Sequence, residues 1–412
     1  MLKKFFHSIG ANLIILVLAT VQGIIIARVL NTDGKGEVAV YLSFYHIIYS
    51  FTNLGIRQSS SFFLSKKKWS NKLISNIHVI GFFISTFLTG IILLIGFIVQ
   101  GIFNYQIFFY FLISLPFVLY TTFTTSFGLS FKWIEKLNYI KVLNAFIFLI
   151  SLVTFYLLLG YQDVEFYFLS FFVTNFFTSF YVYSWAKKIN GYSLKISFDK
   201  QVLFKYLKVA FKGLSYALPL FVYGLNYKFD ILILNSLVTN SEVGVYSVGV
   251  TFAELIWMLP AILSTLIFSY SVSNKDSNKF SKELWKKNKL IMILIIPVLI
   301  CYFFIVDYFL PILYGYEFAG SSIITMYLLP GTYAIISFNI LNADMAARGF
   351  PRVGLTIFSL SAILNIILNY IFIPMWGISG AAFASSLTYI LASLVFLFRY
   401  YNLTFKPNSL AI

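Results

Sequence analysis

The stretch that decides the fold is IGANLIILVLATVQGIIIARVL, residues 9–30, which holds a single charged residue, Arg28. Because an α-helix needs about 20 apolar residues to cross the hydrocarbon core of a bilayer, this stretch predicts a membrane-spanning helix. The whole chain agrees: 60% of its 412 residues are hydrophobic and 11% are charged, whereas soluble domains carry about 25% charged residues. The sequence therefore predicts an all-α polytopic membrane protein.

Similar apolar stretches recur along the chain and predict about twelve transmembrane helices. They lie near residues 9–30, 38–63, 73–102, 106–131, 139–160, 165–186, 209–235, 242–272, 290–314, 321–347, 353–374 and 377–399. We predict an N-terminal six-helix lobe over residues 1–188, a basic cytoplasmic connector over 189–208 and a C-terminal six-helix lobe over 209–412. The connector and the stretch 275–289 are either solvated loops or short helices on an anionic membrane surface.

The lysines and arginines predict the orientation of these helices. Of the 30 cationic side chains, 26 fall on alternate connections, and the other four are Arg28, Lys35, Arg57 and Lys228. Because cytoplasmic loops carry the excess of Lys and Arg, the lysine-rich side is predicted to be cytoplasmic, with both termini on it.

A short motif occurs once in each half of the chain. Glu37-Val-Ala-Val-Tyr41 opens the second predicted span, and Glu242-Val-Gly-Val-Tyr246, 205 residues later, opens the eighth. An offset of nearly half the chain that matches equivalent span boundaries indicates an internal duplication. Six spans per copy is an even number, so the copies enter the membrane in the same direction. This predicts a parallel repeat with a substrate path between the lobes.

Composition and motifs exclude several classes of function. The net charge is +16, but the basic residues lie between apolar stretches and not on a folded basic surface. Nucleic acid is therefore not a predicted partner. One cysteine, Cys301, and three scattered histidines offer no metal-ligand spacing, and there is no phosphate-binding loop. We predict no metal, no cofactor and no bond-breaking chemistry.

Polar residues on one predicted face of the second span are candidates for a binding site. Ser43, His46, Ser50, Asn53 and Arg57 are spaced 3, 4, 3 and 4 residues apart. A central arginine costs about 2.5–3.5 kcal/mol in hydrocarbon, so the stripe must face protein or water. Two interpretations remain: hydrogen bonding between helices, or the wall of an aqueous cavity. The second is favoured because no acidic residue on the same span neutralises Arg57.

Three charged residues fall within the seventh and eighth spans. Lys228 and Asp230 are two residues apart, about 200° around a helix, so they are poor partners for each other. Lys228 is placed to meet Glu254 instead. A structural ion pair and a role in transport are equally supported by the sequence.

The fragments that carry a family resemblance run in order along nearly the whole chain. They are Arg28-Val-Leu with Gly34, Gly36 and Tyr41; Lys228-Phe-Asp230 with Val243-Gly-Val-Tyr246; Tyr314-Gly-Tyr-Glu-Phe318; Ala347-Arg-Gly349; and Pro374-Met-Trp-Gly377-Ile-Ser-Gly380-Ala-Ala382. Together they resemble the Wzx-like polysaccharide flippases of O-antigen and capsule pathways, in the MATE-like superfamily. Asn31-Thr32-Asp33 departs from the Gly-Pro turn common at that place.

The resemblance implies a function and a set of site residues. It implies a non-enzymatic flippase of the bacterial inner (plasma) membrane that moves a polyprenyl-pyrophosphate-linked oligosaccharide to the outer leaflet by alternating access. Its partners would be that lipid, the bilayer and other polysaccharide-assembly membrane proteins. The central-cavity residues would be Arg57, Arg28, Lys228, His46, Ser50 and Asn53. Asp230 and Glu254 would couple transport to H+ or Na+.

Two other functions remain open at this stage. A cation-coupled multidrug exporter of the same fold would prefer an acidic cavity, for which Asp230, Glu254 and Asp307 are available. A membrane glycan polymerase or ligase would need a large outer loop with catalytic groups, and no such loop is predicted.

Overall fold

A computed structural model describes residues 2–98, 105–193, 200–256, 263, 264, 267, 268, 270, 271 and 276–406. Its α-helices are α1 (Leu2–Asn53), α2 (Ile56–Ser65), α3 (Asn71–Ile98), α4 (Tyr105–Thr124), α5 (Ser126–Ser130), α6 (Ile134–Leu157), α7 (Glu165–Ala186), α8 (Lys200–Leu237), α9 (Asn240–Leu255), α10 (Ser277–Tyr314), α11 (Gly320–Ala347) and α12 (Pro351–Phe405). A 3-10 turn, Tyr316–Phe318, lies between α10 and α11.

The two longest helices each contain two predicted spans joined at a kink. α1 is interrupted by non-helical dihedrals at Asn31 (φ 57°, ψ −169°), between the first and second predicted spans. α12 is interrupted at Gly377 (φ 57°, ψ −139°), where the twelfth span was predicted to begin. A positive φ is easily adopted by glycine and tolerated by asparagine, so these residues can hold the kinks between the paired predicted spans.

Seven helices within the described ranges are long and apolar enough to cross a membrane. Two of the seven are the kinked segments of α1 and α12, each of which covers two predicted spans. The remaining predicted spans correspond to helices that do not meet this criterion of length and hydropathy. The eighth predicted span, 242–272, is helical as α9 up to Leu255, and its residues Met258 and Thr265 lie outside the described residues. Both basic connections become helical, α8 from Lys200 and α10 from Ser277.

The chain divides into two compact units. Unit 1 consists of Met1–Leu30 and Phe44–Phe221, and unit 2 of Asn31–Ser43 and Val222–Ile412. The boundary between Phe221 and Val222 falls inside α8. The lobe limits predicted at residues 188 and 208 remain a prediction.

Within unit 2, the two copies of the repeated motif pack against each other. A Cβ on Gly36 would lie 1.8 Å from the carbonyl oxygen of Asn240, and one on Gly244 would lie 2.0 Å from that of Thr32. Ser241 Oγ donates a hydrogen bond to Thr32 Oγ1 at 2.7 Å. Backbones approach this closely only where side chains are absent, which accounts for the glycines at this crossing.

The core of unit 2 is formed by α10, α11 and α12. Phe338, Phe358 and Phe396 are fully buried there. A buried carboxylate, Asp344, closes one end of this core and accepts hydrogen bonds from Ser281 Oγ at 2.7 Å and Tyr400 OH at 2.7 Å. These bonds satisfy a charge whose burial is otherwise costly.

Candidate functional site

In unit 1, the polypeptide breaks its helix just before Arg57. Leu54 (φ 47°) and Gly55 (φ 61°) are left-handed and separate α1 from α2. A Cβ on Gly55 would lie 2.2 Å from the carbonyl oxygen of Gly213 on α8, and one on Gly213 would lie 2.0 Å from that of Leu54. The backbones therefore touch, and the contact fixes where α2 begins.

This break divides the polar residues that were predicted to share one helical face. His46, Ser50 and Asn53 share the last turns of α1, as predicted, but Arg57 belongs to the separate helix α2. The expectation that one continuous helical face extends to Arg57 is therefore wrong. The helical spacing of three and four residues has no meaning across two left-handed residues.

The guanidinium of Arg57 is in an electropositive surrounding. Its Nε is buried and has no hydrogen-bond acceptor. Lys141 on α6 lies close enough to repel it electrostatically. No carboxylate oxygen of the described residues lies within 4.0 Å of Arg57 or of Lys141. Two cations without an acidic partner favour an anionic ligand, because a buried donor that stays unpaired costs free energy.

The neighbouring polar residues of α1 are partly satisfied by the protein. Ser50 Oγ donates to the carbonyl oxygen of His46 at 2.7 Å, and Asn53 Nδ2 donates to Tyr49 OH at 3.4 Å. Asn53 Oδ1 is buried and has no hydrogen-bond partner. An unpaired acceptor and the unpaired donor of Arg57 thus flank the helix break. His46 is exposed.

Arg28, the remaining cation predicted for the site in this unit, lies three residues before the kink at Asn31. Its side chain is exposed.

In unit 2, Lys228 and Asp230 contact different partners, as predicted. Lys228 Nζ lies 3.7 Å from Glu254 Oε1. Asp230 Oδ1 accepts from the backbone N–H of Ile231 at 2.8 Å, and Oδ2 accepts from Tyr246 OH. Lys228 is therefore an ion-paired side chain, in contrast to Arg57.

A small polar cavity of about 10 Å³ separates the two acids from α11 and α12. The polar side chains that line it are Asp230, Tyr246, Glu254, Thr332, Ser385 and Tyr389. This volume suits one water-sized particle. Tyr246 is the last residue of the second copy of the repeated motif, so a sequence pattern pointed to it. No sequence pattern pointed to the other three lining residues, Thr332, Ser385 and Tyr389. The described residues hold no cluster of three or more His, Cys, Asp or Glu side chains.

A family described as "Polysaccharide biosynthesis protein" matches residues 25–323. The chain belongs to this family.

Two relatives from Haloferax volcanii match part of the chain. One, named as the probable low-salt glycan biosynthesis flippase Agl15, is 26% identical over 204 residues, which cover 46% of this chain and 41% of the relative. The other, named as the probable flippase AglR, is 30% identical over 177 residues, which cover 40% of this chain and 36% of the relative. The matched region thus spans about two fifths of the length of these relatives.

Solved structures show the fold of this polysaccharide biosynthesis family member. The inward closed conformation of the lipid II flippase MurJ superposes with a TM-score of 0.75 at 15% identity, over 96% of this chain and 87% of that one. An inward-facing multidrug resistance MATE family transporter superposes with a TM-score of 0.72 at 12% identity, over 97% and 96%. The predicted fold class, an all-α polytopic membrane protein with a MATE-like fold, is confirmed.

Proposed function

We propose that the chain is a flippase for a polyprenyl-pyrophosphate-linked oligosaccharide, serving cell-surface polysaccharide biosynthesis. The observation that carries the proposal is the electropositive pair in unit 1: Arg57, whose buried Nε has no acceptor, with the positive charge of Lys141 within electrostatic range of it. A pyrophosphate supplies the acceptor oxygens that this pair lacks, and arginine matches it with two parallel hydrogen bonds. The names of the two Haloferax relatives, a probable low-salt glycan biosynthesis flippase and a probable flippase, support this proposal.

The cargo's chemistry explains why the protein needs such a site. An unpaired phosphate in hydrocarbon costs tens of kcal/mol in the Born limit, so the headgroup requires a polar, cationic route while the polyprenyl tail stays in lipid. We place the chain in a bacterial plasma membrane with cytoplasmic termini. With that orientation, an inside-negative potential favours outward movement of an anion by about 2.3 kcal/mol per charge per 100 mV. No step in this process breaks a covalent bond, so the proposed activity is transport and not catalysis.

The acidic pair of unit 2 is proposed to couple transport to H+ or Na+. Asp230 and Glu254 line a cavity of about 10 Å³, which suits one small ion or water. The same acids are the observation that favours the second candidate, a cation-coupled multidrug exporter. The flippase is preferred because Lys228 already neutralises Glu254 at 3.7 Å, which leaves less negative charge for a cationic drug.

The deciding experiment measures surface glycan in a flippase-deleted strain carrying each variant at matched protein level. Arg57→Ala should lower export roughly ten- to 150-fold, the worth of one charged hydrogen-bond interaction of about 1.5–3 kcal/mol. Arg57→Lys should retain part of it, because lysine keeps the charge but not the planar fork. Lys228→Ala should impair export less.

Lys68→Ala, at an exposed lysine, is the matched control and should leave export unchanged. Full export by both Arg57→Ala and Lys141→Ala would reject the anion site. Drug resistance that depends on Asp230, without any effect on glycan, would establish the exporter instead.

A further inference from the structure

A groove lined by aromatic side chains runs along unit 1 between α3, α4 and α7. Its volume is about 340 Å³, and seven of its nine lining side chains are Phe or Tyr. Phe83 and Phe180 are 44% and 61% exposed, so the groove is open at the surface of the unit. On the same measure the cavity beside Asp230 is about 10 Å³, so the groove is large enough to take a segment of a hydrocarbon chain.

Two of the three helix faces that form the groove, those of α3 and α7, each end in a lysine. On α7, Phe176, Phe180 and Tyr183 line the groove, and Lys187, the C-cap residue, continues their spacing of four, three and four with helical dihedrals. On α3, Val79 and Phe83 line the groove, and Lys72 precedes Val79 by seven residues, two helical turns on the same face.

These two lysines lie at the same end of the groove. Asn71 Nδ2, next to Lys72, donates to the carbonyl oxygen of Asn190 at 2.8 Å, close after Lys187 in the chain. Ser75 Oγ donates to the carbonyl oxygen of Ser193 at 2.8 Å. Lys187 is about 6 Å along the axis from Tyr183, and Lys72 about 10 Å from Val79, at 1.5 Å per residue. Both side chains are exposed, and no carboxylate of the described residues lies within 4.0 Å of either.

We propose that this groove binds the polyprenyl tail of the carrier lipid, with Lys72 and Lys187 holding its pyrophosphate at the lysine-rich end. The assignment rests on the proposed function and adds a docking site for the lipid. One narrow channel with two cations fits a single-chained, doubly phosphorylated lipid better than a two-chained phospholipid with one phosphate. Methyl branches of an isoprenoid also present C–H edges to the negative faces of the aromatic rings.

A second large groove, in unit 2, provides a contrast. Its volume is about 410 Å³, and its lining includes Ile296, Leu299, Ile300 and Leu329. Lys289 extends the face of α10 at the same seven-residue spacing, but the facing helix α11 ends at Arg348, which is held by Thr404 Oγ1 at 2.9 Å. Lys289 is also engaged, because its Nζ lies 5.6 Å from the centre of the Trp285 ring. That groove therefore combines a more aliphatic lining with two cations that already have partners in the protein, and it lacks the pair of exposed lysines that unit 1 offers.

The test uses the purified full chain in nanodiscs of neutral phosphatidylcholine and a tritium-labelled, glycan-free polyprenyl diphosphate as the probe. Lys187→Glu should weaken binding at least fivefold, and the Lys72→Glu, Lys187→Glu double variant at least twentyfold, because each reversal replaces attraction with repulsion. Lys188→Glu is the matched control: it is the adjacent exposed lysine, and it continues the α7 face that bears Phe177. It should change binding less than twofold.

The same binding assay tests the aromatic side chains that line the groove. Phe180→Ala should weaken binding at least fivefold through lost apolar contact. Phe177 is the matched control, because it is similarly exposed, at 53%, on the same helix. It does not line the groove, so Phe177→Ala should leave binding unchanged. Excess phosphatidylglycerol should compete only weakly with the probe.

Equal effects of the paired variants and their controls, or competition by phosphatidylglycerol as strong as by unlabelled probe, would overturn the assignment. Either result would leave the flippase proposal standing if Arg57→Ala still lowered glycan export as predicted. Intact binding at the groove together with export that ignores Arg57 would instead reject the proposed function and keep the lipid site.

Discussion

The backbone contact between Gly213 and Leu54 makes a sharp prediction about Gly213→Ala. The added Cβ would lie 2.0 Å from the carbonyl oxygen of Leu54, against the 3.0 Å below which Cβ contacts are essentially never observed. The two segments must therefore separate by about 1 Å, and the obstacle is backbone, which has no rotamer to adopt. Overpacking of this kind costs about 1–3 kcal/mol, and a backbone clash belongs at the upper end.

Gly90→Ala is the matched control for this change. Gly90 also lies within a helix, and a Cβ there meets nothing within 4 Å. Both substitutions gain the same helix propensity of up to about 1 kcal/mol, so the difference between the two variants isolates the clash. At about 2–4 °C per kcal/mol for a unit of 150–250 residues, Gly213→Ala should unfold about 2–12 °C below Gly90→Ala.

The assay is thermal unfolding of the purified protein in detergent, followed by size-exclusion profile, with surface-glycan export measured in parallel. Export should fall together with stability, because the contact sets the break that presents Arg57. Equal melting temperatures for the two variants would refute the close backbone contact. Normal export from a destabilised Gly213→Ala protein would refute its link to Arg57.

Three further predictions concern other parts of the molecule. Gly244→Leu should separate the paired repeat motifs, because its side chain would occupy the space of the Thr32 carbonyl group; a Thr32→Cys, Ser241→Cys pair should form a disulfide in the parent and not in that variant, and an unchanged yield would contradict the packing. Asp230→Asn and Glu254→Gln should insert normally in the membrane but lose the dependence of export on a proton or sodium gradient in vesicles; retained dependence would end their proposed role. Reporter fusions at either terminus should report a cytoplasmic location, and an external signal would invert the orientation.

Much of the fold follows from local sequence. Residues 9–30 are apolar for long enough to require a membrane, and Gly377 lies at the turn inside α12 because glycine readily adopts its positive φ. The ion pair of Lys228 with Glu254 was also predictable, since both are charges in apolar spans with few alternatives.

Other features depend on contacts between residues far apart in the chain, which no local pattern encodes. The break at Leu54–Gly55 interrupts an otherwise regular periodicity, and its partner is Gly213, more than 150 residues later. From the sequence, Lys141 was one of the lysines that set the orientation; the packing of α6 brings its charge within electrostatic range of Arg57. The sequence by itself determined the membrane-spanning helices, because apolar length and charge pattern act locally. Only the tertiary structure decided which cations stay unpaired, because that depends on which helices pack together.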